Sequence, residues 1–152
     1  KFIDKSGRVV GTTPYYVLRI KNGVAKVSDR ARLTDEGKCG LVKTDGTVLA
    51  LPVYDDVEFP HEGLFQARKG GKWGFVDLTG KVVIPFRYEA SQYFKDGYAA
   101  VKENGKWGFV DRQGRIAVPL EYENAYFVEP GGRTAQVKKD GRWILVRLPT
   151  AH

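Results

Sequence analysis

A hexapeptide that returns at a fixed interval constrains this chain more than any other feature. Lys72-Trp73-Gly74-Phe75-Val76-Asp77 recurs 34 residues later as Lys106-Trp107-Gly108-Phe109-Val110-Asp111, and 34 residues earlier stands a weaker copy, Lys38-Cys39-Gly40-Leu41-Val42-Lys43. A last partial copy, Arg142-Trp143-Ile144-Leu145-Val146, follows after 36 residues. Agreement continues through the unit: a turn glycine (Gly46, Gly80, Gly114), a proline (Pro52, Pro85, Pro119), a tyrosine followed by an acid (Tyr54-Asp55, Tyr88-Glu89, Tyr122-Glu123), then small residues at alternate positions (Ala99 and Val101, Ala135 and Val137). A short repeat of this kind belongs to chains that stack small units, because one unit cannot bury its own apolar face. The opening segment fits as a divergent copy, Phe2-Ile3-Asp4 with Gly7, Pro14-Tyr15-Tyr16 and Gly23-Val24-Ala25-Lys26-Val27, followed by an insertion over 28–37. The repeat divides one domain, 1–152, into units 1–37, 38–71, 72–105 and 106–141 and a partial unit 142–152, with no linker between them.

Within a unit the residue types read as an antiparallel meander. Strands are expected at 73–76, 81–84, 88–94 and 98–102, with Pro85 ending the second because proline cannot donate to a ladder. Asp77-Leu78-Thr79-Gly80 and Asp111-Arg112-Gln113-Gly114 pair an acid that bonds the backbone ahead of it with a glycine suited to positive φ. Gly70-Gly71, Asn104-Gly105 and Asp140-Gly141 are dipeptides of two-residue hairpin turns. No stretch has helical periodicity. The fold class expected is all-β, with tandem repeats of about 34 residues forming meanders that stack as propeller-like blades. An open β-repeat array is the alternative, because the strand at 143–146 duplicates the role of Phe2-Ile3-Asp4.

Laid side by side, the copies of Lys72-Trp73-Gly74-Phe75-Val76-Asp77 and the residues at fixed offsets from it resemble the bacterial WG-repeat (also KWG-repeat) family. The likeness runs from Phe2 to Val146. It departs from the pattern at Cys39 in place of the tryptophan, Lys43 in place of the strand-ending Asp and Ile144 in place of the glycine. What the resemblance implies is a β-rich bacterial repeat found beside unrelated modules, with no catalytic residue and no agreed ligand.

Composition narrows the function classes. A hydrophobic share of 42% with eight Phe, eight Tyr and three Trp fits a packed core and not a disordered chain. No apolar run nears the roughly 18 residues of a membrane span. The start, Lys1-Phe2-Ile3-Asp4, reads as a processed chain or part of something longer. The net charge of +7 is uneven: units 38–71, 72–105 and 106–141 stand at −1, +1 and +1, whereas 1–37 carries +4 and 142–152 carries +2. In a closed ring the two ends would concentrate Lys1, Lys5, Arg8, Arg30, Arg32, Arg142 and Arg147 at one seam, a place for an anionic polymer or nucleic acid.

No catalytic constellation is legible. Trp73, Trp107 and Trp143 sit in register and read as packing between units, with Gly74 and Gly108 admitting a neighbouring backbone; stacking platforms for glycans or bases are the other reading. The acids of the Tyr-acid pairs are expected to face Lys or Arg across a strand. Cys39, His61 and His152 lack zinc spacing, and Cys39 reads as a small buried hydrophobe and not as a nucleophile served by His61. Residues 69–72 lack the strand-to-helix context of a phosphate loop. The expectation is therefore no enzyme, no metal and no cofactor. It is instead a non-catalytic module that binds a protein, peptide or glycan through a repeat-built surface; nucleic acid is not favoured, and a spacer or oligomerisation unit is a further alternative. Residues special to one unit mark the loops 28–37, 59–62 and 129–133, so Arg30, Arg32, His61, Glu62 and Arg133 are the candidate ligand contacts.

Overall fold

Two-residue turns set the pitch of the architecture. Asn104 and Gly105 both take positive φ, 51° and 74°, and Glu103 pairs with Lys106 across them. That is the type I′ geometry whose twist matches the flanking strands. Gly70-Gly71 and Asp140-Gly141 repeat it, and Asn22-Gly23, Glu62-Gly63 and Asp96-Gly97 also place two positive-φ residues in succession. The third loop of each meander is held by an aspartate. Asp77 Oδ1 accepts from the Thr79 N–H (2.9 Å), the Thr79 hydroxyl (2.6 Å) and the Lys81 N–H (3.0 Å). Asp111 and Asp4 accept the corresponding backbone bonds, while Asp45 holds Thr47 where Lys43 occupies the strand end.

A computed structural model describes residues 1–30 and 37–149; these contain seventeen strands and no helix. Phe2–Ile3 (β1) and Val9–Gly11 (β2) form a two-stranded sheet. Three four-stranded antiparallel meanders follow in chain order. The first is Tyr16–Lys21 (β3), Val24–Ser28 (β4), Cys39–Lys43 (β5) and Val48–Tyr54 (β6). The second is Asp56–Val57 (β7), Leu64–Lys69 (β8), Lys72–Asp77 (β9) and Val82–Tyr88 (β10). The third is Ala90–Ser91 (β11), Tyr98–Glu103 (β12), Lys106–Asp111 (β13) and Ile116–Tyr122 (β14). Asn124–Val128 (β15), Thr134–Lys139 (β16) and Arg142–Arg147 (β17) close the described chain as a three-stranded sheet. The fold is an all-β row of repeat meanders.

Three expectations about the meander change. Its phase is different: the Trp-Gly strand is third in its sheet, and the expected third strand at 88–94 is instead the passage between sheets, with Tyr88 ending β10 and only Ala90–Ser91 pairing in the next sheet. Pro85 does not end its strand. It lies inside β10, which is an edge strand, where the register shifts between Ile84 and Tyr88. A proline on an outer edge withholds no ladder bond. The acids of the Tyr-acid pairs mainly serve turns: Asp55, Glu89 and Glu123 accept the N–H of Gly71, Gly105 and Gly141 at 3.1, 3.2 and 3.2 Å. Among the described residues only Asp55 of the three also pairs with a cation, Lys38 Nζ at 2.6 Å.

The cores lie between successive sheets. Phe2 packs with Ala25, Val27 and Val42; Leu41, Tyr54, Val57 and Phe65 form the next core; Phe75, Ile84, Tyr88, Phe94 and Val101 the third; Phe109, Val118, Tyr122, Ala125 and Val137 the fourth. Among the described residues no core joins the first sheet to the last, so the repeats form the open array and the basic seam is not assembled. Alternation in the strands explains the arrangement: within β13, Phe109 enters the core with the following sheet and Val110 that with the preceding one.

The turn aspartates make this fold acid-sensitive. The Thr79 hydroxyl bond to Asp77 and the Ser6 bond to Asp4 hold both carboxyls below their ordinary value of 3.8. Each folded pKa lies below the unfolded one, so their contribution is complete above the ordinary value and is lost as pH falls through the folded one. The urea midpoint is expected to drop from about pH 5 to about pH 3, and less steeply in Asp77→Asn, which removes one such carboxylate. Equal slopes for the two proteins would refute this role for Asp77.

Candidate functional site

Side chains crossing from one sheet to the next build a continuous seam along the row. Lys26 on β4 reaches Asp56 on β7 at 2.5 Å. At the next junction Gln66 on β8 donates through its side-chain nitrogen to the Ser91 hydroxyl (2.7 Å) and carbonyl (3.0 Å), while its oxygen accepts from the Tyr93 N–H (3.1 Å). At the third, Gln92 Nε2 donates to the Ala125 carbonyl at 3.2 Å. Beside these bonds runs a ladder of cations and rings. The Arg19 guanidinium lies 5.7 Å from the Phe59 ring centre, His61 stacks on Tyr93 at 4.3 Å, and the Lys95 ammonium lies 4.8 Å over Phe127. Phe59, Tyr93 and Phe127 hold equivalent places in successive units, and each is covered from the preceding one.

Where this seam passes the third and fourth sheets it opens into a cleft of about 640 Å³. Trp73, Tyr93, Phe109, Tyr126 and Phe127 line it with rings, and Tyr93 and Tyr126 are 51% and 57% exposed. Its charged groups are one carboxylate, Glu58, and one ammonium, Lys95; Ser91 and Gln92 add a hydroxyl and a carboxamide. Glu58 is half-buried, and its carboxylate has neither a hydrogen bond nor an ion pair among the described residues. The lining is therefore aromatic, polar and without net charge.

The candidates named from sequence disperse. His61 and Glu62 belong to contacts between sheets: His61 through its Tyr93 stack, Glu62 by accepting the Gly97 N–H at 2.9 Å. Burial, helped by the Lys21 charge, holds the His61 imidazole below its ordinary range. Arg133 lies at a separate cleft with Arg147 and Pro149, and its carbonyl accepts from Leu148 at 2.8 Å. The Arg30 N–H donates to Ser28 Oγ at 3.2 Å, and Arg32 lies outside the described residues, as does His152. Trp73 and Trp107 are partly buried against the cores that follow them, whereas Trp143 is 48% exposed. Gly74 and Gly108 each face the backbone of the strand beside them: a Cβ on Gly74 would stand 2.5 Å from the Ile84 carbonyl oxygen. Cys39 is fully buried, and burial raises its thiol above the ordinary value. Among the described residues no three His, Cys, Asp or Glu side chains gather as for a metal.

Sequence reasoning missed Glu58, Gln92, Tyr93 and Tyr126. Glu58, Gln92 and Tyr126 hold one place in three units and differ from one another, the same signal that singled out the loop 59–62, which starts one residue after Glu58.

Stacked meanders that share cores only with their neighbours define an all-β tandem-repeat protein. Three consecutive segments, 40–73, 73–107 and 107–143, match the family model of the WG containing repeat, and the chain belongs to that family. No curated protein and no solved structure matches it.

Proposed function

We propose that this chain is a non-catalytic binding module that engages a protein, peptide or glycan through the cleft at Glu58, Gln92, Tyr93 and Tyr126. One observation carries the reading: the cleft gathers two half-exposed tyrosine rings, Tyr93 and Tyr126, with the Glu58 carboxylate, which is unpaired among the described residues. Exposed aromatic faces among a few polar groups are the usual lining of a recognition site. A peptide display and a glycan array, probed with wild type and with Tyr93→Ala/Tyr126→Ala, test it. Both rings are half exposed, so the double variant should keep the fold, with an unchanged near-ultraviolet spectrum apart from the lost tyrosines. Ligands that lose at least about tenfold in affinity support the module. Ligands indifferent to the variant, or none in either set, count against it.

Self-association is a second reading, favoured by the last sheet. β17 has no fourth strand among the described residues, and Trp143 and Leu145, at 60% exposed, lie uncovered where Trp107 and Phe109 of the preceding sheet are covered by the next. A second copy would continue the stacking. Sedimentation showing only monomer at low micromolar concentration removes it. The anionic-polymer reading is not favoured, because its seam depended on the two ends meeting.

A further inference from the structure

We propose that the cleft over the sheet of β11–β14, flanked by residues of the sheets of β7–β10 and β15–β17, binds a neutral oligosaccharide, an assignment that rests on the binding-module reading above. A pyranose ring presents an apolar C–H face and a rim of hydroxyls, each both donor and acceptor. The cleft matches both. Tyr93 keeps one ring face under His61 at 4.3 Å; Tyr126 packs at a tilt against Phe127 at 4.5 Å and 58° and meets Trp143 edge-on at 6.1 Å and 66°, so neither ring is sandwiched between parallel rings. Those are platforms for a sugar face.

The polar groups around them have capacity to spare. Ser91 Oγ accepts from Gln66, which leaves the hydroxyl proton to donate. Gln92 uses one amide hydrogen on Ala125 and keeps the other, together with its oxygen. Glu58 offers an acceptor pair and Lys95 donors. Hydroxyls are served by such a mixture.

Charge and backbone separate this class from its rivals. One carboxylate and one ammonium cancel, so the lining has no net attraction for a polyanion or polycation. Peptides in extended form are held chiefly by adding a strand to an open edge. The edge strands β7 and β11 beside the cleft are two residues each, and the third, β15, is five residues long with its register broken between Ala125 and Val128, so none presents a long regular ladder. A volume of about 640 Å³ lies within the usual range for small-ligand sites.

Titration of the described chain with soluble cello-, manno-, xylo- and chito-oligosaccharides, followed by tryptophan fluorescence through Trp73, tests the assignment. At least one is expected to bind and to keep its affinity between about 50 and about 500 mM salt. That affinity should fall at least about tenfold in Tyr126→Ala and in Gln92→Ala. The same titration with hyaluronan and with display-selected peptides sets the counter-outcomes. If peptides alone bind and respond to Tyr126→Ala, the oligosaccharide assignment is wrong and the module reading stands. Binding of hyaluronan alone, lost at high salt, overturns the neutral class. If no probe of any kind senses the cleft variants, both readings fall.

Discussion

Gly74→Ala is expected to lower the unfolding free energy by about 3 kcal/mol, a loss visible as a lower urea midpoint with little change in slope. The cause is not backbone conformation, since Gly74 has an ordinary φ. The added methyl would stand 2.5 Å from the Ile84 carbonyl oxygen and 2.9 Å from the Pro85 carbonyl carbon. Those are backbone atoms of β10, held in place by the pairing of Ile84 with Phe75 and Tyr88 with Trp73 on either side. They have no rotamer by which to retreat, so β10 must part from β9. Gly108 faces the backbone of β14 in the same way and should respond alike. Gly80 is the control: its φ is +90° but nothing lies within 4 Å, so alanine there meets only the left-handed penalty of about 1–2 kcal/mol. Equal losses at positions 74 and 80 would show that the close approach does not matter.

The same contact explains what the sequence could and could not disclose. Repeat length, strand content and turn types were legible because each is local: Gly70-Gly71, Asn104-Gly105 and the Asp77 and Asp111 loops fix their own backbone whatever surrounds them. The phase of the sheets was not legible, since a 34-residue period is unchanged by sliding the unit along the chain. The sheet boundary at Glu89 depends on Tyr88 turning into the core with Phe75 and Phe94, a contact between sheets. Pro85 misled for a related reason, because whether its missing N–H matters depends on β10 being an edge strand. The candidate site was not legible because differences between units point to many loops at once, whereas Glu58, Gln92 and Tyr126 meet only through the stacking of three sheets.

Phe109→Ala should remove about 3–5 kcal/mol, the cost of deleting a buried aromatic side chain from a core that collapses only partly. Phe109 is 1% exposed and packs with Val118, Tyr122, Ala125, Val128 and Val137. Domains of this size are stable by about 5–15 kcal/mol, so the loss is a large share of the whole. It should not be spread evenly. Each core joins two consecutive sheets and no other, so the coupling between units is that of nearest neighbours. Native-state hydrogen exchange is expected to show weakened protection in β12–β17, while β5, β8 and β9, whose buried residues belong to earlier cores, keep theirs. A parallel loss across all sheets would mean that the row unfolds as one cooperative block. Phe65→Ala provides the mirror test. Its ring lies in the core of the sheets containing β3–β6 and β7–β10, so the weakened region should move toward the N-terminal half while β16 and β17 stay protected.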